Sequence, residues 1–246
     1  GISVLFIGVP CQVAGLYGFL KKEYDNLTTV DIICHGMPPA TYLEQHIKSI
    51  EDKKKEYTHH LFFRDPKYYT YTFTFTLKNK NGKEFYNKKV LTRDNYQLGY
   101  HRALIYRENC YSCNYARKER ISDLTIGDFS GLGRFAPFEY DKHNVSCILE
   151  NTDKGAALLK KLKGALSMYE RPVSEAFEVE KQLKSPSVKH SGRSIFEKVY
   201  HKSRNYELAS NAALKEEKNR AVKTAIIFKI KVFLYNILVL LHIKKK

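Results

Sequence analysis

The 246-residue sequence predicts an α/β fold: a mixed sheet with a parallel βαβ core, an inserted β-hairpin and a mainly helical C-terminal region. Three observations predict it. Two apolar runs with β-branched members, residues 2–8 and 26–36, flank a helical pattern at 12–22. Strand, helix, strand at that spacing is the parallel βαβ unit. Aromatics then alternate with threonines at period two ahead of Asn81-Gly82, which marks a hairpin, and beyond Ser185 the texture is charged and helical.

Taken in order, Pro10 breaks the first run and opens the first helix, and the second run ends at Cys34-His35-Gly36 before two prolines and an amphipathic helix over 40–54. Cys11 and Cys34 therefore fall just past the carboxyl ends of neighbouring strands, where open α/β sheets bind ligands. The hairpin over 69–91 is expected to carry a type I′ turn, with its Tyr/Phe stripe packed on one face. Residues 96–110 read as a helix that delivers Cys110-Tyr111-Ser112-Cys113. Residues 121–131 read as a buried strand ending in a glycine turn. A strand at 145–150, an Asn151-Thr152-Asp153 cap and a helix from about residue 154 follow. These patterns divide the chain into a catalytic domain over 1–165 and a basic, mainly helical region over 166–246. Residues 225–243 approach the length of a membrane span but include Lys229, Lys231, Asn236 and His242. An amphipathic helix docking on protein or at a membrane interface is expected there, ahead of a transmembrane helix.

The formal net charge is +16, and the stretch 189–246 holds 14 Lys/Arg against 4 Asp/Glu, so +10 of the excess belongs to the tail. That tail lacks interleaved base-stacking aromatics, and no nucleic-acid partner is expected. The five cysteines are an odd number spread from Cys11 to Cys147, with no secretory leader ahead of them, so a disulfide framework is not expected. A cytoplasmic protein is expected, with membrane association through the tail as a further expectation. The opening residues run straight into an apolar strand, and the chain reads as a fragment.

Thiolates are the soft ligands of zinc and of iron–sulfur clusters, and both kinds of site are commonly completed by four cysteines. Cys11, Cys34, Cys110 and Cys113 fall in turns or loops and are the natural set. Cys147 lies inside an apolar strand and reads as a small buried hydrophobe. Zinc, an iron–sulfur cluster and four free thiols that never meet all remain open at this level. No GxGxxG and no GxxxxGK[ST] occurs, so a dinucleotide-binding turn or P-loop has no support.

Four blocks, "VLFIGVPCQVAGL", "VDIICHGMPP", "ENCYSCNYARKERISDLTIGDFSG" and "VSCILENTDKG", resemble in order and separation those of the coenzyme F-420 hydrogenase/dehydrogenase beta-subunit family, over about residues 2–165. The resemblance implies an iron–sulfur flavoprotein that passes electrons from a ferredoxin-type donor to an organic acceptor, such as the deazaflavin coenzyme F-420. It implies a 4Fe-4S cluster on Cys11, Cys34, Cys110 and Cys113 and a flavin, FAD ahead of FMN. It also implies a ferredoxin, or a ferredoxin-like module ahead of this segment, as partner.

Gly8-Val9-Pro10-Cys11-Gln12 is similar to the family's Gly-Thr-Pro-Cys-Gln with Val9 for Thr, and Gly127-Asp128-Phe129-Ser130-Gly131 to its Gly-Asp-Phe-Trp-Gly with Ser130 for Trp. Gly8, Pro10, Gln12, Gly36, Gly127 and Asp128 become cofactor-binding candidates because their turns would flank the cluster. Arg64 and Arg120 are candidates for a flavin phosphate or an acidic substrate, with an exposed or ion-paired arginine as the alternative for each. His35 is the catalytic candidate, as a proton relay, with a turn histidine bonded to backbone as its equal alternative. The competing functional reading is a non-catalytic four-cysteine zinc protein, or an accessory protein of surface-polysaccharide synthesis, with a basic docking tail.

Overall fold

The computed structural model describes residues 1–68, 73–89, 94–140, 145–220 and 231–232. The chain forms two compact units that interleave along the sequence. The first unit is built from Gly1–Pro39, a short piece beginning at Pro66, and Ile105–Lys189. The second takes Ala40–Asp65, Phe73–Leu104 and the residues from His190 onward.

The first unit holds a four-stranded sheet. Strand β1 (Val4–Gly8) leads into helix α1 (Pro10–Leu20) and returns as β2 (Leu27–Ile32), parallel to β1. Proline at the first helical position suits a turn where its missing N–H costs nothing. Strand β6 (Leu124–Asp128) is parallel to β2, and β7 (Ser146–Glu150) closes the far edge antiparallel to β6, giving the order β1-β2-β6-β7. The sheet is mixed with a parallel βαβ core. Helix α4 (Asp153–Leu162) follows β7, and Thr152 caps it by accepting the Gly155 N–H at 3.2 Å. Short helix α5 (Ser174–Phe177) helps bury Cys147, Ala176 and Leu183 with Ile33, Phe129 and Leu149. β1 is an edge strand, and Val4, Leu5 and Ile7 are each about half exposed.

The second unit carries helix α2 (Ala40–Lys54), an antiparallel sheet of β3 (His60–Phe62), β4 (Phe75–Lys78) and β5 (Glu84–Lys88), helix α3 (Asn95–His101), and helices α6 (Arg193–Ser203) and α7 (Tyr206–Ala213). Of the expected Tyr/Phe stripe, Phe75 is buried with Ile50 and Leu77, while Thr76 on the other face of β4 and Thr74 just ahead of the strand are buried as well, so this strand is covered on both faces.

The sequence reading and the structure differ at three places. The hairpin turn is not type I′, since Gly82 has φ +73° but Asn81 does not have a positive φ. Gly82 N–H instead bonds to the Asn79 carbonyl at 2.9 Å, and the Asn79 carboxamide oxygen takes the N–H groups of Asn81 and Lys83, so one left-handed glycine suffices. The helix expected over 96–110 ends at His101. Ala103 turns left-handed (φ +51°), and Leu104, Ile105 and Tyr106 are buried beyond it, tertiary burial outweighing helical pattern. Strand β3 had no alternating pattern to announce it. The outer ends of the expected hairpin, at 69–72 and 90–91, lie outside the described residues, as does the C-terminal amphipathic segment apart from 231–232. Among the described residues no helix is long and apolar enough to cross a membrane.

Candidate metal centre

Three turns of the first unit come out on the carboxyl side of its parallel strands. β1 ends at Gly8, and Cys11 follows in the first turn of α1. Beside them, β2 ends at Ile32, and Cys34 comes two residues later. Cys110 lies in a 3₁₀ turn, Glu108–Ser112, and Cys113 caps it.

The second and third turns are locked to one another by main-chain contacts. The Arg107 N–H donates to the Met37 carbonyl at 2.9 Å, and the Met37 N–H donates to Cys110 Sγ at 3.4 Å. Gly36 has φ +143°, a region open to glycine, and a Cβ there would sit 2.3 Å from the Tyr106 ring. The Ser187 hydroxyl also donates to the His35 carbonyl at 2.6 Å.

The Cys11 and Cys34 thiols each feel the Cys110–Cys113 pair. Cys11 is raised above the ordinary thiol value, first by burial and then by Cys113 and Cys110, against the lowering effect of N–H groups of Cys11 and Gln12 at the start of α1. Cys34 is pushed up to about 11, again by burial first, with Cys110, Cys11 and Cys113 adding to it while the Gly36 N–H opposes. Cys147 is also raised to about 11, but by burial and Glu180, and none of the other four contributes. Among the described residues no three His, Cys, Asp or Glu side chains are already closed around a point that would hold a metal ion. The donor chemistry nevertheless fits a soft metal or a cluster. Four sulfurs arrive from three segments, and backbone amides point at the sulfurs of Cys11, Cys34 and Cys110. A thiolate set of this kind needs a cation to hold it, because ionised sulfurs repel.

The other sequence candidates divide. Gln12 uses its side-chain oxygen to accept the Val9 N–H at 2.9 Å, half of a capping box whose other half Val9 lacks the oxygen to make. Pro10 is buried, Gly8 is partly buried, and His35 and Asp128 are exposed. A Cβ on Gly127 would press the Ile33 side chain at 2.7 Å. Gly131 is tighter still, its hypothetical Cβ 1.8 Å from the Glu175 carbonyl. The loop that follows wraps a buried carboxylate: Glu175 Oε1 accepts the N–H groups of Gly133, Phe135 and Ala136 and pairs with Arg171 at 2.8 Å. Arg64 belongs to the second unit, with its guanidinium 4.1 Å from the Phe73 ring. Arg120 has a buried side chain whose nitrogens are all hydrogen-bonded inside the first unit.

Sequence reasoning missed two polar clusters. In the first unit Asp123 Oδ2 accepts both the Thr29 N–H and hydroxyl, at 2.8 and 3.0 Å, and Oδ1 accepts the Thr152 hydroxyl at 2.7 Å, which ties β2, the start of β6 and α4. In the second unit His46 is held between Asp94 and Glu207. Polar residues inside apolar strands, as in "TTVDI" and "SDLTI", were the signal for the first; nothing local marked the second. Cavities of about 260 Å³ and about 680 Å³ are lined by residues of the second unit alone, and no candidate cysteine lines either.

A family model that describes the C terminus of the coenzyme F420 hydrogenase/dehydrogenase beta subunit matches residues 2–176. No curated protein gives a match. Among solved structures, a chain from the xenon-derivatised F420-reducing NiFe hydrogenase complex of Methanosarcina barkeri aligns with a TM-score of 0.39 and 14% identity. The alignment covers 90% of this chain and 60% of that one, so the present chain spans about three fifths of its length. With the four blocks in order and the family model matched over well more than half its length, the chain belongs to the coenzyme F420 hydrogenase/dehydrogenase beta-subunit family, in the part described as the C terminus.

Proposed function

We propose that this chain is an oxidoreductase subunit that takes electrons from a ferredoxin-type donor and delivers them to an organic acceptor, coenzyme F420 being the acceptor named by the family. The observation that carries the reading is the arrival of Cys11, Cys34, Cys110 and Cys113 from three turns on the carboxyl side of β1 and β2, two of those turns joined by the Met37 N–H to Cys110 Sγ bond. These four would hold a 4Fe-4S cluster. A bound cluster supplies one-electron transfer, and a bound flavin, FAD in preference to FMN, converts between single electrons and hydride.

The chain's own residues do the rest. The amides at the start of α1, at Gly36 and at Met37 direct N–H dipoles at sulfur, which favours the ionised form that metal binding requires. Tyr106, only 2% exposed, and Pro38, also buried, back the Cys34 and Cys110 turns and keep bulk water from that side. His35, on the exposed surface of its turn, is the candidate to hand on a proton there. The flanking turns of Gly8 and Gly127-Asp128 form the neighbouring walls.

Metal and flavin analysis of anaerobically purified protein tests the reading. Iron and sulfide at four each per chain, with a broad thiolate-to-iron absorption and a flavin spectrum, are expected. Ser in place of any one of Cys11, Cys34, Cys110 or Cys113 should abolish the iron absorption. A colourless protein with one zinc per chain would overturn the proposal in favour of a structural zinc site.

A further inference from the structure

We infer that Arg120, paired with Asp31, is a positioning residue that sets the spacing of the cysteine turns, and that its guanidinium is not offered to a cofactor phosphate or substrate. This rests on the four-cysteine reading above.

The geometry gives every N–H of Arg120 an acceptor. Nε donates to the Thr125 hydroxyl oxygen at 3.1 Å. Nη1 donates to the Tyr115 carbonyl at 3.0 Å and the Arg117 carbonyl at 3.5 Å. Nη2 donates to Asp31 Oδ1 at 2.9 Å and the Ile32 carbonyl at 3.5 Å. Five donors in a rigid fork are therefore engaged, and the side chain is only 3% exposed. An incoming phosphate would have to break these bonds to reach it.

The acceptors belong to three segments of the proposed site. Asp31 and Ile32 form the end of β2, with Cys34 two residues further on. Tyr115 and Arg117 belong to the loop that leaves Cys113, and Thr125 lies in β6, whose strand runs on to Gly127-Asp128. One planar group thus ties together the end of β2 ahead of the Cys34 turn, the exit from the Cys110–Cys113 turn and β6. Asn151 steadies the third point, its Nδ2 donating to the same Thr125 oxygen at 3.0 Å.

Asp31 makes the arrangement a unit. It is fully buried, and its Oδ2 has no hydrogen-bond partner among the described residues. Its charge is answered through Oδ1 by Arg120, so losing the arginine would strand a buried carboxylate. Lysine at 120 would keep the charge but could not span three segments.

The test uses the full chain, metal-free and anaerobic, titrated with Co²⁺, whose thiolate charge-transfer absorption reports sulfur geometry. Wild type is compared with Arg120→Lys, Asp31→Asn and the surface control Lys48→Ala, with folding checked by circular dichroism. Arg120→Lys should stay folded and bind Co²⁺ about 10- to 100-fold more weakly than wild type, as loss of an outer partner of a metal ligand does, with an altered absorption. Asp31→Asn should move in the same direction, and Lys48→Ala should match wild type. Should Arg120→Lys fail to fold, Asp31→Asn, nearly the same shape, decides alone. Wild-type cobalt affinity and spectrum in the folded variants would overturn the inference, more so if flavin affinity alone fell. If wild type itself gives no thiolate absorption, the four-cysteine reading fails. A short bifunctional thiol cross-linker on the metal-free protein then judges the strut separately. A reduced yield of Cys34 linked to Cys110 or Cys113 in Arg120→Lys supports it, and an unchanged yield overturns it.

Discussion

The two units each hold a cluster of titratable side chains, and the clusters are finished to different degrees. In the second unit His46 gives Nε2 to Asp94 at 2.9 Å and Nδ1 to Glu207 at 2.5 Å. Asp94 also accepts from the Tyr86 hydroxyl at 2.8 Å and the Gln97 N–H at 2.7 Å, and Glu207 from Asn95 Nδ2 at 2.5 Å. His46 and Asp94 are buried, and both carboxylates share the His46 imidazolium and have further hydrogen bonds. In the first unit Cys11, Cys34 and Cys110 have amide donors, and the neighbouring cysteines add to burial in raising Cys11 and Cys34. The difference separates a group whose charges are met inside the fold from one whose ionised form needs a cation beside it. Completeness is thus a better guide to role than the density of reactive side chains.

The largest expected effect comes from breaking the finished cluster. Burial alone would push His46 down, but its bonds to Asp94 and Glu207 outweigh this and raise it from 6.5 to about 9. The imidazolium is therefore the folded form near neutral pH. His46→Ala leaves two carboxylates facing each other and should cost about 3–5 kcal/mol in urea unfolding at pH 7. The wild-type pH profile sharpens this. A raised folded value means that the contribution is complete below 6.5 and is lost as pH rises through about 9, a change of about 3 kcal/mol. For Asp94 and Glu207 burial raises the carboxyls, but the His46 bonds win and hold both low, so their contribution is present above the ordinary carboxylate range and lost in acid. Stability should therefore peak in weak acid to neutral solution, and His46→Ala should remove the alkaline loss. An alkaline slope that survives the substitution would sink the account.

A smaller effect is expected from disturbing the unfinished cluster without touching a thiol. Gly36→Ala puts a methyl 2.3 Å from the Tyr106 ring at φ +143°. Backbone strain of about 1–3 kcal/mol is expected from the φ, and the overlap adds about 1 kcal/mol once the Tyr106 ring shifts, so the net loss in urea unfolding should be about 2–4 kcal/mol. The same variant should weaken Co²⁺ binding, because Cys34 lies two residues before Gly36. Unchanged cobalt affinity would mean that the Cys34 turn is not part of the site.

Much of the first unit was legible because backbone chemistry writes itself into residue type. Pro10 marks the start of α1, Gly36 a positive φ and Thr152 a cap, and Gly127 and Gly131 mark places where neighbours leave no room for a side chain. Pairings across long separations left no such trace. Arg120 and Asp31 are 89 residues apart, and His46 and Glu207 are 161 apart. Each is an ordinary charged or polar residue in its own neighbourhood, so Arg120 read as either a ligand-binding or an ion-paired arginine with no partner named, and His46 did not draw notice. Likewise the apolar run at 104–106 looked helical because periodicity cannot tell a helix face from a buried extended segment.

Cys147 gives the smallest effect and the sharpest control. It is a fifth thiol raised to about 11, as Cys34 is, so by acidity alone the two are equivalent. Their surroundings differ. Cys147 is 3% exposed in β7, packed with Ala176 and Leu183, and its shift comes from burial and Glu180 without any help from the other cysteines. By the criterion of completeness it belongs with the finished parts of the molecule. Cys147→Ser should then lose about 1–2 kcal/mol, the cost of a hydroxyl in an apolar site. It should leave Co²⁺ stoichiometry and absorption at wild-type values, whereas Cys34→Ser should weaken Co²⁺ binding and lower the thiolate absorption at little cost to urea stability. The two serine variants thus pull stability and metal binding in opposite directions. If Cys147→Ser bleached the cobalt spectrum and Cys34→Ser did not, the ligand set would be wrong and mutual electrostatic coupling would be no guide to it.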